Sequence, residues 1–357
     1  MGIEKIHILL IGPVTNIKSN LIGGATISFG YLVDYLTRNG NEFTVVNTKV
    51  FPSGLSQIFN PLIVLFLVML NLFKTDVLFL NSSRGGTKYL APFLYFLAKA
   101  FSKKFVFRPF GGNINEYTSK YNKVQNWIFE SSIIKADIFF LQTKELIEYY
   151  SKYDAKTIQL PTSRDNPASH LLRGNRVFQK RFVYIGFINE AKGINHILEA
   201  ASRLGDDYTI DMFGPIKQEK FLGQLEVNKH YKGVLKKEQV LETLKTYDVL
   251  VLPTYYEGEG YPGVIIEAYS LGLPVISTDW KAIPEIISHN KTGQIIKPKS
   301  TDALIAAIQS FDETNYEMFS QNARAYFLKK FETEKVCGQV VAKINSLFKN
   351  QNTTLTK

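Results

Sequence analysis

The sequence predicts an α/β protein made of two parallel-sheet domains, and three observations carry that expectation. At 357 residues the chain exceeds one ordinary domain and suits two of about 150–200 residues, each with its own core. Short apolar runs alternate with helix-length amphipathic segments from end to end, the pattern of strands joined by crossover helices in a buried parallel sheet. The pattern lapses once, over residues 161–176 (PTSRDNPASHLLRGNR), where Pro, Ser, Asn and Arg collect as in a linker. The expected organisation is therefore an N-terminal domain over 1–165, a linker over 166–178, a second domain over 179–314, terminal helices over 315–349, and a loose tail over 350–357.

In the first domain the run 6–11 reads as a strand, followed by a helix from about Ala25 to Asn39 that stops at Gly40, a residue suited to a left-handed cap. Runs 43–46, 77–80, 105–107, 138–141 and 158–160 repeat the strand signal with helices between them. In the second domain strands are expected at 182–185, 209–213, 249–252 and 275–277, with helices near 194–204, 237–245 and 264–271. From Asn315 onward the spacing is helical only: Tyr316, Phe319, Ala323, Tyr326 and Phe327, then Val336, Val340, Ile344 and Leu347 after Thr333. Two open parallel sheets place ligands at the carboxyl ends of their strands, so the site is sought in loops that follow strands.

Composition narrows the setting. Hydrophobic content of 45% with 21% charged residues excludes long disorder. The single cysteine, Cys337, has no internal disulfide partner, and no Cys/His cluster stands at zinc spacing, which fits a reducing cytoplasm. The first residues run directly into an apolar strand without the charged, apolar and small-residue regions of a secretion signal. Segment 61–73 (PLIVLFLVMLNLF) is almost wholly apolar, but its 13 residues fall short of the ~20 that a spanning helix needs. It reads as a buried helix, with a helix lying in a membrane interface as the alternative. Residues 1–165 hold 18 Lys+Arg against 11 Asp+Glu, a net +7, whereas the remainder is only +3. A basic first half is open to anionic lipid, nucleic acid or a phosphorylated substrate, and the plainer reading is a solvated surface that happens to be basic. Nucleic acid is the weakest of the three, because no zinc-finger spacing, RNA-recognition aromatic motif or basic helix is present.

The stretch 253–280, PTYYEGEGYPGVIIEAYSLGLPVISTDW, is the most informative. It leaves a strand, crosses a Gly-rich loop and enters a helix whose first turn is expected to hold Pro262, Gly263 and Val264, with Pro262 at the first helical position. A helix start presents backbone N–H groups and the positive end of its dipole, which suits a diphosphate. Glu259 lies before that helix and Glu267, eight positions on, about one turn inside it. A carboxylate accepts hydrogen bonds from paired hydroxyls, so each glutamate is a candidate for holding a sugar or a ribose. The plainer reading of either acid is stabilisation of the helix dipole.

Glu259-Gly260-Tyr261-Pro262-Gly263-Val264-Ile265-Ile266-Glu267, followed by Ala268, Gly272, Pro274, Val275 and the pair Pro284-Glu285, resembles the E-x7-E signature of retaining glycosyltransferases of family 4. This type is found in bacterial surface polysaccharide biosynthesis. The resemblance implies the GT-B fold: two Rossmann-like domains facing across a cleft, with C-terminal helices crossing between them. It implies an acceptor-binding first domain and a second domain that binds a nucleotide-diphosphate sugar as donor. Tyr184-Ile185-Gly186, Lys192-Gly193, Phe213-Gly214 and Lys232-Gly233-Val234 fall where the family has its glycine turns, its diphosphate cation and the loop beside the base. By that likeness Lys192 and Glu259 act in catalysis, Lys192 on the diphosphate and Glu259 on the transferred sugar. Glu267 would bind the ribose, and Tyr261, Gly263, Val264 and Val234 would complete the donor site. In the first domain Gly23 and Gly24 resemble the family's glycine loop at the first helix, also on the donor.

The chain departs from the family in two places. Phe187 stands where an arginine is usual, so one of two cations is missing. The loop 107–113, where many members carry a histidine, has none; Arg108 and Asn113 are its candidate acceptor or phosphate contacts. Without a protein acid–base pair, the departing phosphate oxygen would take the acceptor's proton on the same face, and orientation with charge stabilisation would supply catalysis. No Asp-x-Asp appears at a strand end, which implies transfer without a metal, and no cofactor is expected. The resemblance thus implies a metal-independent, hexosyltransferase-type enzyme acting on a saccharide or lipid-linked saccharide, cytoplasmic or peripheral on the inner membrane face. The alternatives are a non-catalytic nucleotide-sugar-binding subunit of the same fold and a sugar-nucleotide epimerase, which does not explain the spacing of Glu259 and Glu267.

Overall fold

The computed structural model describes residues 5–14, 24–50, 59–82, 84–172, 177–226 and 228–349. The chain divides into two compact units, Met1–Ser163 with Thr333–Lys357, and Arg164–Glu332. The division at Ser163/Arg164 falls just ahead of the expected linker, and residues 177–180 already lead into the second sheet.

The first unit holds six parallel strands, β1 (His7–Gly12), β2 (Glu42–Asn47), β3 (Val77–Ser82), β4 (Lys104–Pro109), β5 (Ile138–Leu141) and β6 (Thr157–Gln159), in the order β2-β1-β3-β4-β5-β6. Between them run α1 (Gly24–Arg38), α2 (Asn60–Asn71), α3 (Arg84–Lys88), α4 (Leu90–Ala100), α5 (Ile114–Thr118), α6 (Lys123–Ser132) and α7 (Lys144–Tyr150). β3 and β5 are buried along their whole length, as expected where helices cover both faces. Helix α1 ends ahead of Gly40, which takes φ 62°, a conformation costly for any residue with a Cβ.

The second unit repeats the plan with β7 (Arg181–Ile185), β8 (Thr209–Phe213), β9 (Val249–Leu252), β10 (Val275–Thr278) and β11 (Gly293–Ile296), all parallel, in the order β11-β10-β9-β7-β8. Its helices are α8 (Ile194–Leu204), α9 (Leu222–Glu226), α10 (Gln239–Leu244), α11 (Gly263–Ser270), α12 (Thr301–Gln309) and α13 (Tyr316–Lys330). The last helix, α14 (Thr333–Lys349), belongs to the first unit. The terminal helical region is thus divided. Tyr316, Phe319, Ala323 and Phe327 of α13 join the core of the second unit, and Val336, Cys337, Val340 and Ile344 of α14 pack with Phe29, Leu32 and Leu36 of α1.

One device recurs in both sheets. Asp76, Asp137 and Asp248 each immediately precede a central strand, β3, β5 and β9, and each carboxylate accepts a backbone N–H at the start of a neighbouring strand: His7 at 2.9 Å, Phe105 at 2.8 Å and Arg181 at 3.0 Å. The acids satisfy donors that the sheet ladder leaves unpaired at its edge.

The apolar segment 61–73 corrects an expectation. It is helical, as α2, but not a buried helix. Val64 and Val68 face the core, while Leu62 (63% exposed), Phe66 (62%) and Leu70 (63%) stand uncovered. A segment apolar on every side has no polar face to mark its outside, so its sequence cannot show which side packs. Among the described residues no helix is long and apolar enough to cross a membrane.

Candidate functional site

The second sheet changes direction between β7 and β9: β8 lies beyond β7, and β10 and β11 lie beyond β9. The crevice outside the carboxyl ends of strands at such a switch point is where open α/β sheets bind ligands. Lys192 reaches it from the loop after β7 and Glu259 from the loop after β9.

Lys192 closes a short turn, Glu190–Lys192, whose first N–H groups are capped by Asn189; its Oδ1 accepts from the Lys192 amide at 3.0 Å. Gly193 follows at φ 78°, and a Cβ there would lie 2.3 Å from the Pro253 carbonyl oxygen, so only glycine lets this turn sit against the end of β9. The Lys192 ammonium meets Glu259 Oε2 at 2.5 Å and stands 5.0 Å from the centre of the Tyr256 ring. The Thr254 hydroxyl donates to the same carboxylate oxygen at 2.8 Å. Glu259 is only 8% exposed, a burial that a carboxylate tolerates when paired and hydrogen-bonded.

Helix α11 opens at Gly263. Pro262 is the residue before it, with φ −60° and ψ 122°, rather than the first helical residue as expected, and no side chain caps the helix start. Glu267 lies one turn inside. Its Oε1 accepts from Arg164 Nε at 2.7 Å, and Arg164 is 4% exposed. The guanidinium runs close over Gly263: a Cβ there would stand 1.9 Å from Arg164 Nη2.

Two acids eight positions apart are therefore each gripped through one oxygen by a buried or nearly buried cation. Neither Glu259 Oε1 nor Glu267 Oε2 has a hydrogen bond among the described residues. Each carboxylate thus has one oxygen left as an acceptor, and the two flank a helix start that favours negative charge.

The remaining predicted residues are distributed as follows. Tyr261 is buried and donates to Glu285 Oε2 at 2.6 Å, which ties the loop before α11 to the Pro-Glu pair. Val264 is half-buried in the first turn of α11. Val234 is exposed after Gly233, whose carbonyl accepts from the Gly214 amide at 2.8 Å, so the two glycine turns lie together. Gly24 begins α1, and Gly23 lies outside the described residues. Arg108 is the last residue but one of β4 in the first unit, buried, with its guanidinium 5.3 Å from the centre of the Phe110 ring; burial lowers its pKa to about 10. Asn113 directly precedes α5 and is half-buried.

Two cations escaped the sequence reading. Arg164 fell in the stretch taken for a linker, and only its three-dimensional pairing with Glu267 marks it. Lys217 stands 5.2 Å over the ring of Phe187, so a cation does lie beside the position where the family has arginine. Its only signal in sequence is its place three residues after Gly214.

Residues 173–326 match the family profile of glycosyl transferases group 1, a span lying within the second unit. Among curated relatives, the amylovoran biosynthesis glycosyltransferase AmsK of Erwinia amylovora is 30% identical over 141 residues, covering 36% of this chain and 35% of that protein. The chain spans between a third and two fifths of the length of the first curated relatives it matches. Among solved structures, sucrose-phosphate synthase from Thermosynechococcus elongatus superposes with a TM-score of 0.75 at 16% identity, over 97% of this chain and 100% of that one. Anabaena HepE in complex with UDP-glucose superposes with a TM-score of 0.70 at 12% identity, over 96% and 100%. At these identities the structural likenesses show the fold, which is GT-B: two parallel-sheet α/β domains.

Proposed function

We propose that this chain is a retaining glycosyltransferase that moves a hexosyl group from a nucleotide-diphosphate sugar to a saccharide or lipid-linked saccharide in surface polysaccharide assembly. The observation that carries the reading is the pair of half-held carboxylates around the start of α11. The match to the group 1 profile supports it, as does a structural neighbour whose ligand is UDP-glucose.

In this reading the diphosphate lies at the N-terminus of α11, with Lys192, Lys217 and the helix amides carrying its charge. Glu267 Oε2 takes the ribose hydroxyls and Glu259 Oε1 the sugar hydroxyls. Lys192, held by Glu259 before the donor arrives, stabilises the growing negative charge as the sugar–phosphate bond breaks. The departing phosphate oxygen takes the acceptor's proton on the same face, so no protein base and no metal are required, and the anomeric configuration is retained. Arg108 and Asn113 belong to the acceptor side. The work is done at the cytoplasmic face of a membrane, where a lipid-linked acceptor is held.

The test is Glu259→Gln assayed against a panel of UDP-, GDP- and ADP-sugars. Loss of a charged contact that strengthens in the transition state is expected to lower donor hydrolysis and transfer by about 10²–10³-fold. Unchanged hydrolysis in the variant would sink the reading. Phe187 favours a second reading, a subunit that binds nucleotide sugar without turnover. Tight calorimetric binding of UDP or GDP with no turnover across donors and acceptors would select it.

A further inference from the structure

The cation of the site rests on an aromatic ring that is fixed from a neighbouring loop. Tyr256, in the loop after β9, is 46% exposed, and the Lys192 ammonium lies 5.0 Å from the centre of its ring. The same ammonium is hydrogen-bonded to Glu259. A ring attracts a cation through its quadrupole without taking a strong hydrogen bond from it, so this contact holds the ammonium and leaves N–H groups for phosphate oxygens.

Its own loop leaves the ring little freedom. A Cβ at Gly258 would stand 2.7 Å from a ring carbon, so the ring lies close against residue 258 and a larger residue there would push it away. The Tyr256 amide donates to the Thr254 hydroxyl at 3.2 Å, the group that also reaches the Glu259 carboxylate. The Tyr256 carbonyl accepts twice, from the Glu259 amide at 3.1 Å and from Trp280 Nε1 at 2.9 Å. The first bond closes the turn that carries Glu259. The second comes from the loop after β10.

Trp280 is itself anchored. Its side chain packs on the core of the second unit, and its amide donates to the carbonyl of Thr278, the last residue of β10, at 2.9 Å. The Thr278 hydroxyl donates in turn to the Thr254 carbonyl, so the two loops are tied at their roots as well. The next residue, Lys281, takes φ 49°, a left-handed conformation costly for a residue with a Cβ, and its ammonium meets Glu257 Oε2 at 3.1 Å. Residues 280 and 281 thus engage 256 and 257 in turn, and such a backbone persists where the surrounding contacts over-determine it. The Glu257 side of that ion pair is exposed, so the pair contributes little by itself. The indole bond is the contact that reaches the site.

We propose that the loop after β10 is a brace for the reacting centre. Trp280, through the Tyr256 carbonyl, fixes the ring on which the Lys192 ammonium rests. Tyr256 and Trp280 are then positioning residues that set the rate of sugar transfer, and the role given to Lys192 is that of the glycosyl-transfer reading, on which this inference rests. The place of that ammonium matters most when negative charge grows on the leaving diphosphate, so its displacement lowers kcat more than it weakens donor binding.

The full chain is assayed for donor hydrolysis and transfer with UDP-, GDP- and ADP-sugars, and its two tryptophans are labelled with ¹⁵N. Tyr256→Leu is expected to lower kcat about tenfold with donor KM within about twofold, and Tyr256→Phe, which keeps the ring, to restore the rate. Trp280→Phe keeps an aromatic ring on the core and loses the N–H; a fall in kcat of about threefold to tenfold with KM unchanged is expected. Combined with Tyr256→Leu it is expected to add almost nothing, because the indole acts through that ring, whereas two independent structural faults would multiply. Tyr256→Leu provides the kinetic test should Trp280→Phe not fold. In hydrogen exchange followed by NMR, the Trp280 indole N–H is expected to exchange at least about tenfold more slowly than that of Trp127, which is 66% exposed. Unchanged kcat in Tyr256→Leu or Trp280→Phe, multiplying effects in the double variant, or an indole exchange as fast as that of Trp127 would each overturn the brace. An unsubstituted chain that neither hydrolyses nor transfers any donor would remove the glycosyl-transfer reading, and the indole exchange would still decide the brace.

Discussion

Arg164 holds Glu267 through Nε while its Nη2 occupies the space a side chain at residue 263 would need. Arg164→Lys keeps a positive charge but loses the planar fork that sets the carboxylate's orientation. Because Glu267 is assigned to the ribose, the expected outcome is a rise in donor KM of about threefold to tenfold with kcat little changed. Gly263→Ala drives a methyl group against the same guanidinium and is expected to give the same signature. Since the two substitutions break one contact, the double variant is expected to be barely worse than either single one, a non-additivity read in a double-mutant cycle of donor affinities. At this scale Glu259 and Glu267 were legible because the helix start and the eight-residue spacing leave a mark in the sequence. Arg164 was not: it is 103 residues from its partner, and nothing local in TSRDN distinguishes a buried cation from a solvated one.

Among the elements, the acids that precede central strands make the clearest prediction. Asp248 is buried and accepts the Gln179 and Arg181 amides at 2.9 and 3.0 Å, so Asp248→Ala leaves two donors unpaired at the start of β7. A loss of about 2–4 kcal/mol is expected, with Tm lower by roughly 5–10 °C in calorimetry. Most strands were readable from their apolar runs, because a parallel strand buried on both faces is apolar throughout. β11 was missed, as its four residues GQII carry one polar side chain and no alternation. α12 was missed as well, although Ser300 caps it through the Ala303 amide at 3.2 Å and that cap is visible in SxxA only once the helix is known. α2 was recognised as a helix and assigned the wrong burial. Hydrophobic periodicity finds a buried face by contrast with a polar one, and the segment 61–73 offers no such contrast.

For the whole molecule, the consequential fact is that the chain passes from the first unit to the second at Ser163/Arg164 and returns at Glu332/Thr333. The first unit is completed only by the last helix. Val336, Cys337, Val340 and Ile344 are buried in its core, and at about 1.5–3 kcal/mol for a fully buried aliphatic side chain their loss rivals the net stability of a domain. Truncation after Glu332 is therefore expected to unfold the first unit, with rapid hydrogen exchange across β1 to β6, while protection in β7 to β11 persists. Equal protection in both units after truncation would contradict this division. The sequence by itself determined two α/β units, the place of the Glu259–Glu267 helix after a strand, and the resemblance to family 4 glycosyltransferases. These depend on contacts close in the chain: apolar runs, glycine turns and a helix start. Only the tertiary structure decided that α14 returns to the first unit, that Arg164 grips Glu267, and that α2 shows an apolar face to the outside. Each of those depends on what stands opposite a residue across the fold, and no local pattern records a partner a hundred residues away.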